Sequence, residues 1–147
     1  MNFLLVDDDS DDSLLFKEIL QEVKSSVRFV SATNGKAALT LLRSGEIPLP
    51  QIIFLDLNMP LMNGKECLLE LKQDAQLMHI PVIIYTTSSQ SRDIEETMMG
   101  GALCFITKPT SLIDLRSILS QITASPLNSL EKTVKNLSNT ANTFIVC

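Results

Sequence analysis

The sequence predicts an α/β fold, a doubly wound parallel sheet with helices on both faces. Three observations carry that expectation. Short apolar runs alternate five times with longer stretches whose apolar residues recur at helical spacing. The central run, Ile52-Ile53-Phe54-Leu55, is apolar at every position and bracketed by Pro50 and Pro60, the pattern of a strand buried on both faces. Finally, Asp7 and Asp8, Asp56, Thr86 and Lys108 all fall just after apolar runs. Strand carboxyl ends share one edge of a parallel sheet, so these side chains are expected to converge there, where open α/β sheets bind ligands.

The first strand is Phe3-Leu4-Leu5-Val6, ending in Asp7-Asp8-Asp9. Ser10 is expected to cap the first helix, with Asp11 and Asp12 favourable in its first turn. Leu15, Ile19 and Val23, flanked by Leu14, Phe16 and Leu20, form its apolar stripe. Residues 27–32 are rich in β-branched and aromatic side chains and read as the second strand. Asn34-Gly35 marks a turn. Ala37, Ala38, Leu41 and Leu42 give a second helical stripe, ended near Gly45.

Beyond the central strand, residues 60–64 form a loop. The next helix turns Cys67, Leu68 and Leu71 inward. Pro81-Val82-Ile83-Ile84-Tyr85 is the fourth strand and opens onto Thr86-Thr87-Ser88-Ser89. Ile94 and Met98 place a helix closed by Gly100-Gly101. Leu103-Cys104-Phe105-Ile106 is the fifth strand, and Leu112, Leu115, Ile118, Leu119 and Ile122 stripe the helix after it.

At 147 residues, 45% of them apolar, the chain is long enough for one domain with a sizeable core. The net charge of -5 argues against direct nucleic-acid binding, which draws on clustered Lys and Arg. Much of the acid is local, in Asp7, Asp8, Asp9, Asp11 and Asp12. No apolar run is long enough for membrane insertion, and the start lacks a basic segment of the signal-peptide kind. Cys67, Cys104 and Cys147 are odd in number and hold no C-x-x-C pair, which fits buried thiols in a reducing compartment. These features predict a soluble, cytoplasmic protein.

A carboxylate at a strand end is expensive to bury without a counter-charge. Three of them at one edge repel, and a hard divalent cation such as Mg²⁺ resolves the repulsion because it prefers oxygen ligands. A hydroxyl and an ammonium are poor metal ligands but good donors to an anion held beside the metal. The set therefore suits phosphoryl transfer to a carboxylate, with Asp56 attacking in line and Thr86 and Lys108 holding the product's oxygens. Taken singly, a strand-end Asp is a turn residue and Lys-Pro a solvated loop. Their joint placement at matched strand ends carries the functional reading.

Val6-Asp7-Asp8-Asp9, Phe54-Leu55-Asp56-Leu57-Asn58-Met59-Pro60 with Gly64, Ile84-Tyr85-Thr86-Thr87-Ser88 and Phe105-Ile106-Thr107-Lys108-Pro109 resemble the receiver domain of two-component response regulators. The resemblance runs from about Phe3 to about Thr123, and its wording is similar to the stand-alone, phytochrome-associated type. It implies a flavodoxin-like (βα)5 fold, five parallel strands in the order 2-1-3-4-5. It implies that Asp56 is the phosphoacceptor, charged by a sensor histidine kinase or a histidine phosphotransfer protein. Asp7, Asp8 and Asp56 would hold Mg²⁺ with the backbone carbonyl of Asn58, and Lys108 would bind a phosphoryl oxygen. Thr86 and Phe105 would form the switch, altering the face made by the fourth helix, fifth strand and fifth helix and so the binding of a downstream protein. Autodephosphorylation belongs to the same resemblance, with Asn58 and Ser88 flanking the site.

A rival reading is a phosphohydrolase of the haloacid dehalogenase type, which also pairs a strand-end Asp with Mg²⁺. That class needs a second acid two residues later, and Asn58 stands there. A degenerate receiver working without phosphate is weakened because every acidic and basic position is filled. An output regulator, a shuttle and a phosphate sink stay open as roles. His79, the single histidine, reads as a surface residue, and Met98 and Met99 as core or helix surface.

The domain is expected over 1–124, with 125–147 as a C-terminal extension. Ser125-Pro126 breaks the fifth helix and Asn128 with Glu131 resembles a capping pair. Leu127, Leu130, Val134 and Leu137 fall on one helical face, followed by polar residues 138–143 and an apolar end, Phe144-Ile145-Val146. No DNA-binding or enzymatic output domain fits this length. Two readings of the extension remain: a helix packed on its own domain, or a homodimer or partner contact.

Overall fold

The computed structural model describes residues 1–137 and 143–147. Strand β1 (Asn2–Val6) leads to helix α1 (Ser10–Val23), then β2 (Arg28–Ala32), α2 (Gly35–Arg43), β3 (Ile52–Leu55), α3 (Gly64–Gln73), β4 (Val82–Thr86), α4 (Ser91–Met99), β5 (Cys104–Thr107) and α5 (Leu112–Ala124). A 3-10 turn (Leu127–Ser129), a short helix α6 (Leu130–Lys135) and strand β6 (Ile145–Val146) follow. The sheet order is β2-β1-β3-β4-β5-β6. The first five strands are parallel, in the flavodoxin-like order expected. The sixth strand is an addition to the five anticipated. It runs antiparallel to β5, with Phe105 opposite Val146 and Ile106 opposite Ile145.

Successive strand residues point to opposite faces, so each strand feeds two cores. Phe3, Leu5, Phe54, Ile83, Tyr85 and Ile106 meet α1 and α5 on one side. Leu4, Val6, Ile53, Leu55, Ile84 and Phe105 meet α2 and α3 on the other. Phe16 joins the first layer to the sheet with its ring 5.0 Å from Phe54 and 5.5 Å from Tyr85. Leu130, Val134 and Leu137 are buried in that same layer. Three apolar positions of the extension are thus packed against the protein's own core.

Several local expectations are corrected. Asp9, not Ser10, caps α1, accepting from the N–H groups of Asp11 and Asp12 at 3.0 Å each. Asn34 does more than turn the chain: its side chain accepts from the Ala37 N–H and starts α2. In α2 the inward residues include Leu39, while Ala37 is exposed. Leu112 is exposed rather than part of the α5 stripe. Asn128 and Glu131 do not form the capping pair, because Asn128 lies inside the 3-10 turn and α6 starts without a side-chain cap bond. Cys104 and Cys147 are not thiols but a disulfide, which leaves Cys67 as the buried free cysteine among the described residues. Most of the polar run after Leu137 lies outside the described residues.

Candidate functional site

The carboxyl ends of β1, β3, β4 and β5 deliver the site. Asp7 follows β1, and its N–H donates to the Ala32 carbonyl at 3.0 Å. Asp56 follows β3, where its N–H donates to the Val6 carbonyl at 2.9 Å. Each acidic residue therefore stands on a backbone already tied to the neighbouring strand. Behind Asp56 the chain turns through residues 57–63 and enters α3 at Gly64, whose N–H donates to the Leu57 carbonyl at 2.9 Å. A Cβ at Gly64 would collide with the Asp56 carbonyl, so this approach requires glycine. Asn63 and Glu66 close the turn with a capping box, each side chain bonded to the other's backbone N–H.

Lys108 is the hub. Its ammonium lies 2.7 Å from Asp7 Oδ2, 2.8 Å from Asp12 Oδ2 and 3.4 Å from Asp56 Oδ2, with the lysine side chain only 8% exposed. The ammonium also sits over the Tyr85 ring, 5.7 Å from its centre. The second oxygen of each buried carboxylate is occupied too. Asp7 Oδ1 accepts from the Asp9 N–H at 2.9 Å, and Asp56 Oδ1 from the Leu57 N–H at 2.7 Å.

Burial pushes the Asp7 carboxyl up to about 6, overcoming the opposing hydrogen bond from Lys108. Burial alone would lower the Lys108 ammonium. Its hydrogen bonds to Asp12 and Asp7 and the charge of Asp56 more than offset that and hold it above the ordinary lysine range. Burial likewise raises the Tyr85 hydroxyl.

Asp7, Asp8 and Asp56 each offer a carboxylate oxygen within 4.8 Å of the others. Asp8 is exposed, whereas Asp7 and Asp56 are buried. Three hard oxygen donors converging on one point beside the Lys108 ammonium fit a divalent cation of the Mg²⁺ kind. Asp8 and Asn58 line an open cleft of about 480 Å³ beside the cluster, together with Leu57, Met59, Asn63 and Lys65.

Thr86 and Phe105 are placed differently. Thr86 is fully buried at the end of β4, and its Oγ1 accepts a long hydrogen bond, 3.5 Å, from the Ser88 N–H. Its carbonyl accepts from the Lys108 N–H at 2.6 Å, so the two residues are joined through the backbone. Phe105 is buried on the α2 and α3 side. Ser88 donates to Asp93 Oδ2, and Thr107 Oγ1 donates to the Ser88 carbonyl at 2.9 Å. Lys65 pairs with both Asp93 and Glu96 at 2.7 Å, and its bond, with that from Ser88, holds the Asp93 carboxyl below the ordinary range.

The cluster thus brings together Asp7, Asp8, Asp56 and Lys108 as expected, with Asn58 at its rim and Thr86 and Phe105 in the adjoining core. Sequence reasoning missed Asp12 and Tyr85. Asp12 lies in the first turn of α1 on the side facing the sheet edge, and that spacing from Asp7 was the available signal.

Comparison with known proteins agrees with this geometry. The family model of the response regulator receiver domain matches residues 3–120. Response regulator Rcp1 of Synechocystis sp. (strain PCC 6803) is 36% identical over 123 residues, covering 81% of this chain and 84% of its own. The solved Mn(2+)-bound form of Rcp1 superposes with a TM-score of 0.74 at 35% identity, over 84% of this chain and 91% of that one. The phosphorylated cyanobacterial phytochrome response regulator RcpA superposes with a TM-score of 0.76 at 29% identity, over 97% and 96%. With a receiver model matched along most of its length and its acidic cluster at the expected strand ends, this chain belongs to the receiver-domain family of two-component response regulators.

Proposed function

We propose that Asp56 is the phosphoacceptor and that the chain works as a phosphorylation-driven switch. The observation that carries this is the Asp56 carboxylate held beside Asp7 and Asp8 and 3.4 Å from the Lys108 ammonium. The donor is a phosphohistidine on a sensor kinase or a phosphotransfer protein. An Asp56 oxygen attacks the phosphorus in line, the P–N bond breaks, and the imidazole leaves with a proton. Lys108 turns from the carboxylates to a phosphoryl oxygen. Thr86 exchanges its long bond with the Ser88 N–H for one to the phosphoryl group. Phe105, one strand over, repacks into the space vacated. Hydrolysis of the acyl phosphate on the same Asp56 resets the switch.

Mg²⁺ held by Asp7, Asp8, Asp56 and the Asn58 carbonyl supplies positive charge against the phosphoryl oxygens. Because the donor chemistry depends on kinases charged by ATP, we place the chain in the cytoplasm. The switching face is α4, β5 and α5, where Met99, Leu112 and Ile113 are exposed and suited to a downstream protein or a second copy in a homodimer. We assign the receiver to residues 1–124 and an accessory role to 125–147.

Intact mass after incubation with acetyl phosphate tests the assignment. A single phosphoryl adduct that needs Mg²⁺ and is lost in Asp56→Asn is expected. An adduct that survives Asp56→Asn would refute it.

A further inference from the structure

We propose that the Cys104–Cys147 disulfide is a thiol–disulfide exchange site, and that its reduction by a dithiol releases strand β6 from the edge of β5. The pair lies 43 residues apart in sequence and joins β5 to the residue just past β6. This reaches beyond phosphorylation; it takes only the cytoplasmic location from the proposed function. In a reducing compartment a disulfide is a sensing or regulatory element more often than a structural one.

The two cysteines differ in exposure. Cys104 is fully buried, whereas Cys147 is exposed. Cys147 lines an open groove of about 760 Å³ with Lys72, His79, Glu131 and Lys135. Two lysines stand there with one carboxylate, Glu131, so the lining carries a small excess of positive charge toward an incoming thiolate. The thiolate attacks Cys147 Sγ, the S–S bond breaks, and Cys104 leaves as a thiolate that takes up a proton. The second thiol of the same reductant then attacks the mixed disulfide and frees the Cys147 thiol. Two electrons and two protons pass to the protein, and the dithiol becomes a disulfide.

What the bridge holds is short: Ile145 and Val146 are only half-buried, one against each core layer. Strand β6 makes two residue pairs with β5, and the Thr107 N–H donates to the Phe144 carbonyl at 3.0 Å. Strands this short contribute few hydrogen bonds against the entropy of ordering their own segment. The covalent tether removes most of that cost, so its loss lets the strand leave. The position matters because β5 carries Phe105 and leads directly into Lys108, whose ammonium contacts Asp7 and Asp56. Release bares the β5 edge on the face between α4 and α5, giving this strand an input separate from phosphate.

Amide hydrogen exchange on the full chain, with and without dithiothreitol, reads the latch directly. Reduction is expected to speed exchange at the Thr107 amide at least tenfold. Cys147→Ser should match the reduced protein without reductant and should not respond to it. Equal Thr107 protection in the oxidised and reduced chains, or wild-type protection in Cys147→Ser, would overturn the latch. Acetyl phosphate applied to the same samples separates this from the phosphoacceptor reading. Adduct formation at Asp56 is expected in both redox forms, and its absence with Thr107 responding would fail only the phosphoacceptor.

Discussion

Replacing Asp7 by Asn should stabilise the metal-free protein at neutral pH, although it damages the site. Asp7 titrates at 3.8 in an unfolded chain and near 6 when buried at the end of β1. Between those values the folded protein holds a proton that the unfolded chain has released, so stability falls as pH rises through the window. The gap is about 2 pKa units, or about 3 kcal/mol of cost fully present above pH 6. Asn resembles the protonated acid but cannot accept from both Lys108 and the Asp9 N–H, as the two Asp7 oxygens do. Losing one of those bonds returns about 1 kcal/mol, leaving a net gain of about 2 kcal/mol. For a chain of this length that is a rise in Tm of roughly 4–8 °C.

Urea denaturation in EDTA at several pH values measures the difference between Asp7→Asn and wild type. The difference should climb between about pH 4 and pH 6 and then level off. Added Mg²⁺ should raise the Tm of wild type but not of the variant, because the ion offsets the same carboxylate repulsion. A variant no more stable than wild type at pH 7, or a difference independent of pH, would refute the argument.

Gly64→Ala forces a Cβ against the Asp56 carbonyl and the Leu57 Cα, both backbone, and should cost about 3 kcal/mol in chemical denaturation. Asn63→Ala removes the capping box of α3 and should cost about 1 kcal/mol by the same measurement. Burial pushes the Cys67 thiol up to about 12. Maleimide should therefore label no cysteine in the native oxidised protein, one in denaturant and three in denaturant after reduction, as counted by intact mass.

The parts of this molecule legible in its sequence are those with a local cause. A run such as Ile52–Leu55 has no solvent-facing residue and, too short for a helix between Pro50 and Pro60, reads as an interior strand; polar residues that end parallel strands then share one edge. Asp12 escaped because an acid in the first turn of a helix already has a sufficient explanation in the helix dipole. Only the fold shows its carboxylate 2.8 Å from Lys108. Asp9 and Ser10 are both able to cap, and the backbone path out of β1 selects the first. Strand β6 and the disulfide have no local cause. Two apolar residues fit many conformations, and cysteine spacing does not encode a partner when the pairing is made by a two-residue strand set against β5 from far along the chain.

A parallel sheet of five strands ends in two open rows of amides and carbonyls, each a template for a neighbouring molecule. On the β2 side the exposed Arg28 and Ser31 make the row polar and discourage stacking. The β5 row is apolar, with Cys104, Phe105 and Ile106 all buried, and β6 is what covers it. Without β6 that row is bare. The same two residue pairs thus act as protection against edge-to-edge aggregation, and tail variants that weaken them should precipitate at concentrations the intact chain tolerates.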